Sequence, residues 1–468
     1  MKIEKLTLKN FRCYADTNLE FDPRVTVLVA ANGQGKTSVL DALRIAIWPF
    51  VSQFDLARTA FNDPANTIRI DDVRSILRSD FYNTLQGERD EMARQLPCEI
   101  TFSWVRAGRT ELWVRRRESE VKKSQTLDGK GCKKIKAAAK SLQEQVRDLS
   151  VNPISLPLFG YYGTGRLWSH KRLKEEKRTQ VDLENQKVRT FAYQDCLDPA
   201  SSYRQFELWF TGVFKGARDQ QIKSLEKGQA LALEHTPYYN LIRVIQRAID
   251  VVLKPVAWHT LEFSQVHEES LIMHSDQGEF KVAQLSDGIK NILGLVADIA
   301  YRCVLLNPHL GDQAALKTEG VVMIDEVDMH LHPSWQQTVV NSLIEAFPKI
   351  QFVLTTHSPQ VLTTVPSQSI RILDNGKVFA APAGSEGAEA ARLLNRIFAV
   401  QSRPPQNENT KLLNAYADLV YQDKWVSEQA VEMRRKLDAI YRGEEPKLTE
   451  LDLYIENRDW ELNLEKDQ

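Results

Sequence analysis

Apolar positions along the chain change period several times, and each change marks an element. Ile3, Leu6 and Leu8, then Leu19 and Phe21, read as short strands, and the run Val25-Thr26-Val27-Leu28-Val29 predicts a strand covered on both faces. The stretch Ala30-Ala31-Asn32-Gly33-Gln34-Gly35-Lys36-Thr37 interrupts the pattern. Val39, Leu43 and Ile47 then resume it every fourth residue, as one face of a helix does.

Residues 98–118 alternate like a hairpin, with Ile100, Phe102 and Trp104, a turn at Ala107-Gly108, then Leu112 and Val114. A helix is expected over 133–146 and a strand over 154–159, which runs into Tyr161-Tyr162-Gly163-Thr164-Gly165-Arg166. Residues 169–253 read as mainly helical and charged, broken at Asp198-Pro199 and His235-Thr236-Pro237. A hairpin-like stretch over 261–280 leads into Leu285-Ser286-Asp287-Gly288. Ile292, Leu293, Leu295, Val296 and Ile299 then make the following helix apolar on most sides, so it should be buried. A strand over 321–324, a helix over 335–347, a strand over 351–356 and a hairpin turning on Asn375-Gly376 complete the ordered pattern. Beyond Pro404-Pro405 the chain is a polar helical tail. No heptad run is long enough for a coiled-coil arm.

Composition narrows the class without naming a chemistry. The 468 residues are 43% hydrophobic and 26% charged with a formal net charge of −1, so no global basic field advertises nucleic acid. A local one does exist: residues 115–147 carry Arg115, Arg116, Arg117, Lys130, Lys133, Lys134, Lys136, Lys140 and Arg147, with Lys122 and Lys123 between. Such a run is either a solvated face or a contact for an anionic partner, and sparse aromatics argue against stacking on single strands. Cys13, Cys98, Cys132, Cys196 and Cys303 lie far apart, without the spacing of a metal knuckle or disulfide framework. No apolar run is long enough to span a bilayer, so a cytoplasmic chain with no membrane partner is expected.

The residues that carry chemistry stand at element ends. Asn32, Gly33, Gln34, Gly35, Lys36, Thr37 and Ser38 join a strand to a helix, where backbone N–H groups and the helix dipole favour phosphate. Lys36 adds a point charge for β- and γ-phosphates, and the Thr37 hydroxyl is a Mg²⁺ ligand. The strict pattern has glycine where Ala30 stands. The apolar strand Val321-Val322-Met323-Ile324 ends in Asp325-Glu326, two acids that are costly to bury without a purpose. Beside a phosphate loop they have one: Asp325 for Mg²⁺ and Glu326 to polarise the attacking water. The strand over 351–356 brings His357 to the same carboxyl edge, where it can sense a γ-phosphate. Ser286 or Asp287 could simply cap the helix that follows. His330 and His332, near Asp328, could be metal ligands or a structural element.

The order of these motifs, with Asn10-Phe11-Arg12 ahead of them and Leu285-Ser286-Asp287-Gly288 between, resembles the SMC- and RecF-like ABC ATPases. Thr355-Thr356-His357-Ser358 and Asp325-Glu326-Val327-Asp328-Met329-His330-Leu331-His332-Pro333 extend the resemblance. Tyr161-Tyr162-Gly163, Gly165-Arg166 and the polar tail make the chain similar to the PtuA group, the ATPases of Septu and some retron antiphage systems. The resemblance implies an α/β ABC-type head, a mixed and parallel sheet flanked by helices, with an inserted helical region and a C-terminal helical tail. Residues 1–168 and 261–385 would form the head, with the β hairpin and basic insert in the first part. Residues 169–260 would be the insert and 386–468 the tail.

The resemblance also implies that ATP and Mg²⁺ are held between two copies, Ser286 and Gly288 of one facing the γ-phosphate on the other. It implies a homodimer or higher oligomer, an HNH nuclease partner, PtuB, and contact with DNA or with a retron reverse transcriptase and its msDNA. Ala30 and Asp287 depart from the family pattern and favour a slow, switch-like ATPase over a fast motor. Two other readings keep the same sites: a RecF-like repair or recombination ATPase acting on DNA directly, and a non-hydrolysing scaffold stabilised by ATP. The tail has no Val-Glu-Gly strand turn of a Toprim nuclease, so no nuclease centre is expected in the chain itself.

Overall fold

The computed structural model describes residues 1–57, 66–78, 91–121, 124–148, 150, 152–166, 188–199, 203–228, 231–236, 238–401 and 403–466. It separates into two compact units, Met1–Leu393 and Leu394–Gln468. The parts of the expected helical stretch at 169–187, and Lys122 and Lys123, fall outside the described residues.

The first unit opens with β1 (Lys2–Phe11), β2 (Tyr14–Glu20), β3 (Val25–Val29) and α1 (Lys36–Val51). A ribbon of β4 (Ser75–Arg78) and β5 (Glu91–Arg94) precedes the hairpin β6 (Cys98–Arg106) and β7 (Arg109–Arg117). There follow β8 (Leu127–Asp128), α2 (Cys132–Arg147), β9 (Leu158–Tyr162), α3 (Tyr203–Glu226) and α4 (Tyr239–Leu253). The hairpin expected over 261–280 is a three-stranded meander of β10 (Trp258–Ser264), β11 (Ser270–Ser275) and β12 (Gly278–Lys281). Then come α5 (Asp287–Leu306), β13 (Gly320–Ile324), α6 (Val339–Ala346), β14 (Ile350–Thr356) and the hairpin β15 (Ile370–Asp374) and β16 (Lys377–Ala380).

Two sheets organise this unit. One has the order β16-β15-β3-β14-β13-β9; its five strands from β15 to β9 run parallel, and only β16 is antiparallel. Every residue of β3, β9, β13 and β14 is buried, which is why these strands are mostly apolar. The other sheet, β2-β1-β6-β7-β8, is antiparallel. Helix α1 touches β6 and β7 of the second sheet and β14 of the first. It is therefore buried well beyond the Val39, Leu43 and Ile47 face, including Leu40, Ile45 and Ala46. Trp104 and Trp113 meet edge to face at 4.7 Å, and Phe50 of α1 and Phe159 of β9 close on Trp104. These rings fill the space between the layers.

The basic stretch is not one surface. Arg115 and Arg117 are buried and donate to main-chain carbonyls of Ile45, Asn66, Ile68 and Ser124. They tie β7 to α1 and the segment behind it. Lys133, Lys134 and Lys140 of α2 stay exposed.

In the unit Leu394–Gln468 the helices Glu408–Tyr421, Glu428–Tyr441 and Pro446–Lys466 close over Leu413, Val420, Ala430, Leu437 and Leu451. Asn407 and Ser427 cap the first two by accepting bonds from the N–H groups of their first turns. Among the described residues no helix is long and apolar enough to cross a membrane.

Candidate nucleotide site

The loop after β3 is shaped by contacts from outside itself. Gly35 has φ +92°, and a Cβ there would lie 2.6 Å from Cys13 Sγ and from Tyr14 Oη. Only glycine meets both demands, so the turn between β1 and β2 dictates the residue at the loop's end. The Tyr14 hydroxyl donates to the Gly35 carbonyl (3.1 Å), and the Lys36 ammonium folds back to donate to the Ala30 carbonyl (2.9 Å). Burial pulls the Lys36 pKa down, against the pull of Asp325, Glu326 and Asp328 upward. A desolvated cation beside a glycine loop at a helix N-terminus is the electrostatic requirement for a polyphosphate.

The acidic pair sits at the end of β13. Asp325 is 3% exposed, and both carboxylate oxygens are engaged: Oδ2 accepts from the Thr37 hydroxyl (2.9 Å) and Oδ1 from the Thr355 hydroxyl (2.6 Å). The same Thr355 hydroxyl accepts from the Glu326 N–H (2.7 Å). Glu326 has φ +49°, a left-handed conformation rare outside glycine and costing about 1–3 kcal/mol. Its side chain is half-buried at the cleft. A hydroxyl and a carboxylate 2.9 Å apart form a hard oxygen pair. That donor set fits Mg²⁺, which takes few protein ligands and leaves the rest to phosphate and water.

The structure brings the proposed residues together in one open cleft of about 280 Å³, lined by Asn32, Gly33, Gln34, Gly35, Lys36, Thr37, Ser38, Asp325, Glu326 and His357. His357 follows β14, two residues after Thr355. Its neighbours fix that loop: the Thr356 hydroxyl donates to Asp328 (2.6 Å), and Ser358 caps the next turn. Ser286 and Gly288 do not line this cleft. Ser286 is exposed at the N-cap of α5 with no side-chain capping bond, and exposed Asp287 lies 3.6 Å from Lys290. Gly288 is pressed against the loop after the acidic pair: a Cβ there would stand 2.4 Å from the His330 carbonyl oxygen. His332 accepts a bond from the Ser334 N–H and caps a short turn, and Asp328 is taken up by Thr356.

Two contributors carried no assigned role in the sequence. Thr355 was visible only as part of the Thr-Thr-His-Ser run. Arg166, at the end of the Tyr-Tyr-Gly-Thr-Gly-Arg stretch, is 7% exposed and donates to the carbonyls of Gly163 (3.0 Å), Asp325 and Glu326 (2.6 Å) and to the Asn291 side chain (3.1 Å). Burial lowers its pKa to about 10, with the three nearby carboxylates opposing the fall. Behind β9 a second buried set holds α5. Tyr162 Oη and Arg302 Nε both donate to Asp298 Oδ2 (2.7 and 2.8 Å).

A family model described as "AAA domain" matches residues 5–234, and a second, described as "AAA domain, putative AbiEii toxin, Type IV TA system", matches 175–363. The chain is 29% identical to the "Retron Ec83 probable ATPase" of Escherichia coli over 100% of its length and 89% of that protein's. It is 27% identical to the "Retron Vc95 probable ATPase" of Vibrio cholerae over 79% and 74%. Likeness to the "Septu protein PtuA" of Bacillus mycoides reaches 33% identity but spans only 31% of this chain and 18% of that one. Over all or most of its length the chain is therefore similar to retron proteins named as probable ATPases, and its parallel sheet carries the phosphate loop, the acidic strand end and the histidine in chain order.

Proposed function

We propose that the cleft at Lys36 binds ATP with Mg²⁺, that the chain hydrolyses it slowly, and that two copies close around it to control a partner nuclease in antiphage defence. The partner of this reading is the HNH nuclease PtuB, and the likeness to retron and Septu ATPases supports it. The observation that carries the reading is the hydroxyl–carboxylate chain Thr37–Asp325–Thr355, which ends on the N–H of Glu326.

In this reading the loop N–H groups and Lys36 bind the β- and γ-phosphates. Thr37 and Asp325 would hold Mg²⁺, which when bound neutralises charge on the phosphate oxygens. Glu326 orients the attacking water and accepts its proton, and His357 faces the γ-phosphate from the neighbouring strand end. Ser286 and the α5 N-terminus of a second copy complete the enclosure, and Asp287 beside Lys290 is turned to its own helix. Changing Glu326→Gln should lower kcat by about 100-fold or more while leaving ATP affinity nearly unchanged, the mark of a lost general base. Unaltered turnover in that variant would remove Glu326 from the role.

A second reading, direct action on DNA, draws on the exposed lysines of α2. It predicts DNA binding by the chain alone that weakens steeply with salt and with Lys133→Glu and Lys134→Glu.

A further inference from the structure

Arg166 lies outside the nucleotide-binding motifs yet touches the backbone of one and a helix that carries another. A guanidinium has five N–H donors in a fixed fork and no acceptor. Around Arg166 every partner is an acceptor: three main-chain carbonyls and the Asn291 amide oxygen. Asn291 is on α5, within its second turn, and its own Nδ2 is buried without a hydrogen-bond partner among the described residues. The oxygen is therefore the atom turned to Arg166, because the opposite orientation would face donor with donor.

These bonds converge on one strained peptide. The Asp325 N–H donates to the Tyr162 carbonyl (2.8 Å), both Asp325 carboxylate oxygens are held by threonines, and the Glu326 N–H is held by Thr355. Of the two carbonyls that remain, that of Asp325 is taken by Arg166, and that of Glu326 is shared between Arg166 and the Met329 N–H (3.1 Å). A left-handed glutamate persists only where its surroundings over-determine it. Without Arg166 the buried Asp325 carbonyl would lose its side-chain donor and the Glu326 carbonyl would keep only the Met329 N–H, so the turn that holds Glu326 at φ +49° would be less firmly determined.

We propose that Arg166 is a positioning residue for hydrolysis: it holds the Asp325–Glu326 peptide in its left-handed turn and, through Asn291, couples that turn to the helix led by Ser286-Asp287-Gly288. The inference rests on Glu326 being the base. It assigns Arg166 to orientation of the water-activating carboxylate, and leaves phosphate binding to the glycine loop and Lys36.

The test compares Arg166→Ala, Arg166→Lys, Asn291→Ala and Glu326→Gln in the full chain. It reads fluorescent-ATP affinity, single-turnover hydrolysis and thermal melting. Arg166→Ala should lose about 100-fold in turnover, the cost of misplacing a reacting group by about 1 Å, with ATP affinity within about threefold. Methylguanidine should restore part of that turnover, and methylammonium should not. Arg166→Lys should fold and remain slow, since a point charge cannot span three carbonyls; it decides the matter if Arg166→Ala does not fold. Asn291→Ala should lower turnover less, by about tenfold at most, with affinity unchanged. Turnover retained in Arg166→Lys and Arg166→Ala while Glu326→Gln is dead overturns the inference alone. Affinity and turnover falling together with melting temperature, without rescue by methylguanidine, overturns it too. Wild-type turnover in Glu326→Gln overturns the underlying reading instead.

Discussion

The phosphate cleft and the Ser286 end of α5 are finished to different degrees. On the phosphate side the polar groups are joined within one chain: Thr37 and Thr355 to Asp325, Thr355 to Glu326, Arg166 to the backbone beneath. At the start of α5 Ser286 stands at a helix N-cap, exposed, with no side-chain capping bond. Serine normally spends its hydroxyl there on the first-turn N–H groups. Ser358 and Ser427 in this same chain do so. Under the proposed reading this difference would be a division of labour, with the phosphate groups bound by one copy and the Ser286 hydroxyl left for the nucleotide of a second.

The largest expected effect breaks the finished side. Lys36→Ala should cost ATP affinity roughly 2–5 kcal/mol, or about 30-fold and more, by titration with a fluorescent ATP analogue. The wild-type chain adds a pH signature. Burial lowers the Lys36 pKa below its ordinary 10.5, so the unliganded ammonium is lost at lower pH than a free lysine's. Affinity should then fall as pH rises through that lowered value and stay flat below it. An affinity in Lys36→Ala matching wild type would mean that phosphate binds elsewhere.

Next in size is the open side. Ser286→Arg should leave ATP affinity of the isolated chain within about threefold, because Ser286 does not line the phosphate cleft. It should abolish ATP-dependent association in sedimentation of the Glu326→Gln background. Association that survives this change would contradict the division between the two sides. Gly288→Ala is smaller and acts within one copy. The added methyl meets the His330 carbonyl oxygen at 2.4 Å, an overpacking that costs about 1–3 kcal/mol by thermal or urea unfolding.

How much of this could be read in advance follows the same divide. Lys36, Thr37, Asp325 and Glu326 were legible because each stands where a local period stops, and a run of apolar residues needs a reason to end in charge. The parallel order of the sheet was expected from the family resemblance, whereas its strands were legible in themselves, because strands covered on both faces leave mostly apolar runs, as β3 and β13 do. Arg166 and Thr355 were in view, but their roles were not. Their partners are carbonyls and carboxylates brought close by strand order, and no spacing along the chain encodes a bond from Arg166 to Glu326. Arg115 and Arg117 misled for the converse reason. Counted as charges they belong to a surface, yet their guanidinium groups are buried on the carbonyls of Ile45, Asn66 and Ile68. Composition registers the charge and is blind to the acceptors that make its burial tolerable.

The smallest effect is also the sharpest test of the contrast, because it applies one substitution to two serines at the same helix position. Ser358→Ala removes a hydroxyl that accepts from the Gln360 and Val361 N–H groups and donates to Gln336 (2.6 Å). Its loss should cost about 0.5–2 kcal/mol of stability, the range for a working N-cap. Ser286→Ala removes a hydroxyl with no capping bond, so the isolated chain should unfold at the wild-type midpoint within a few tenths of a kcal/mol, as an exposed substitution does. Its cost should appear only with ATP present, as weaker association of the Glu326→Gln protein. If both serines prove equally costly to the unliganded chain, Ser286 is a cap like the others, and the open side of the site is not open.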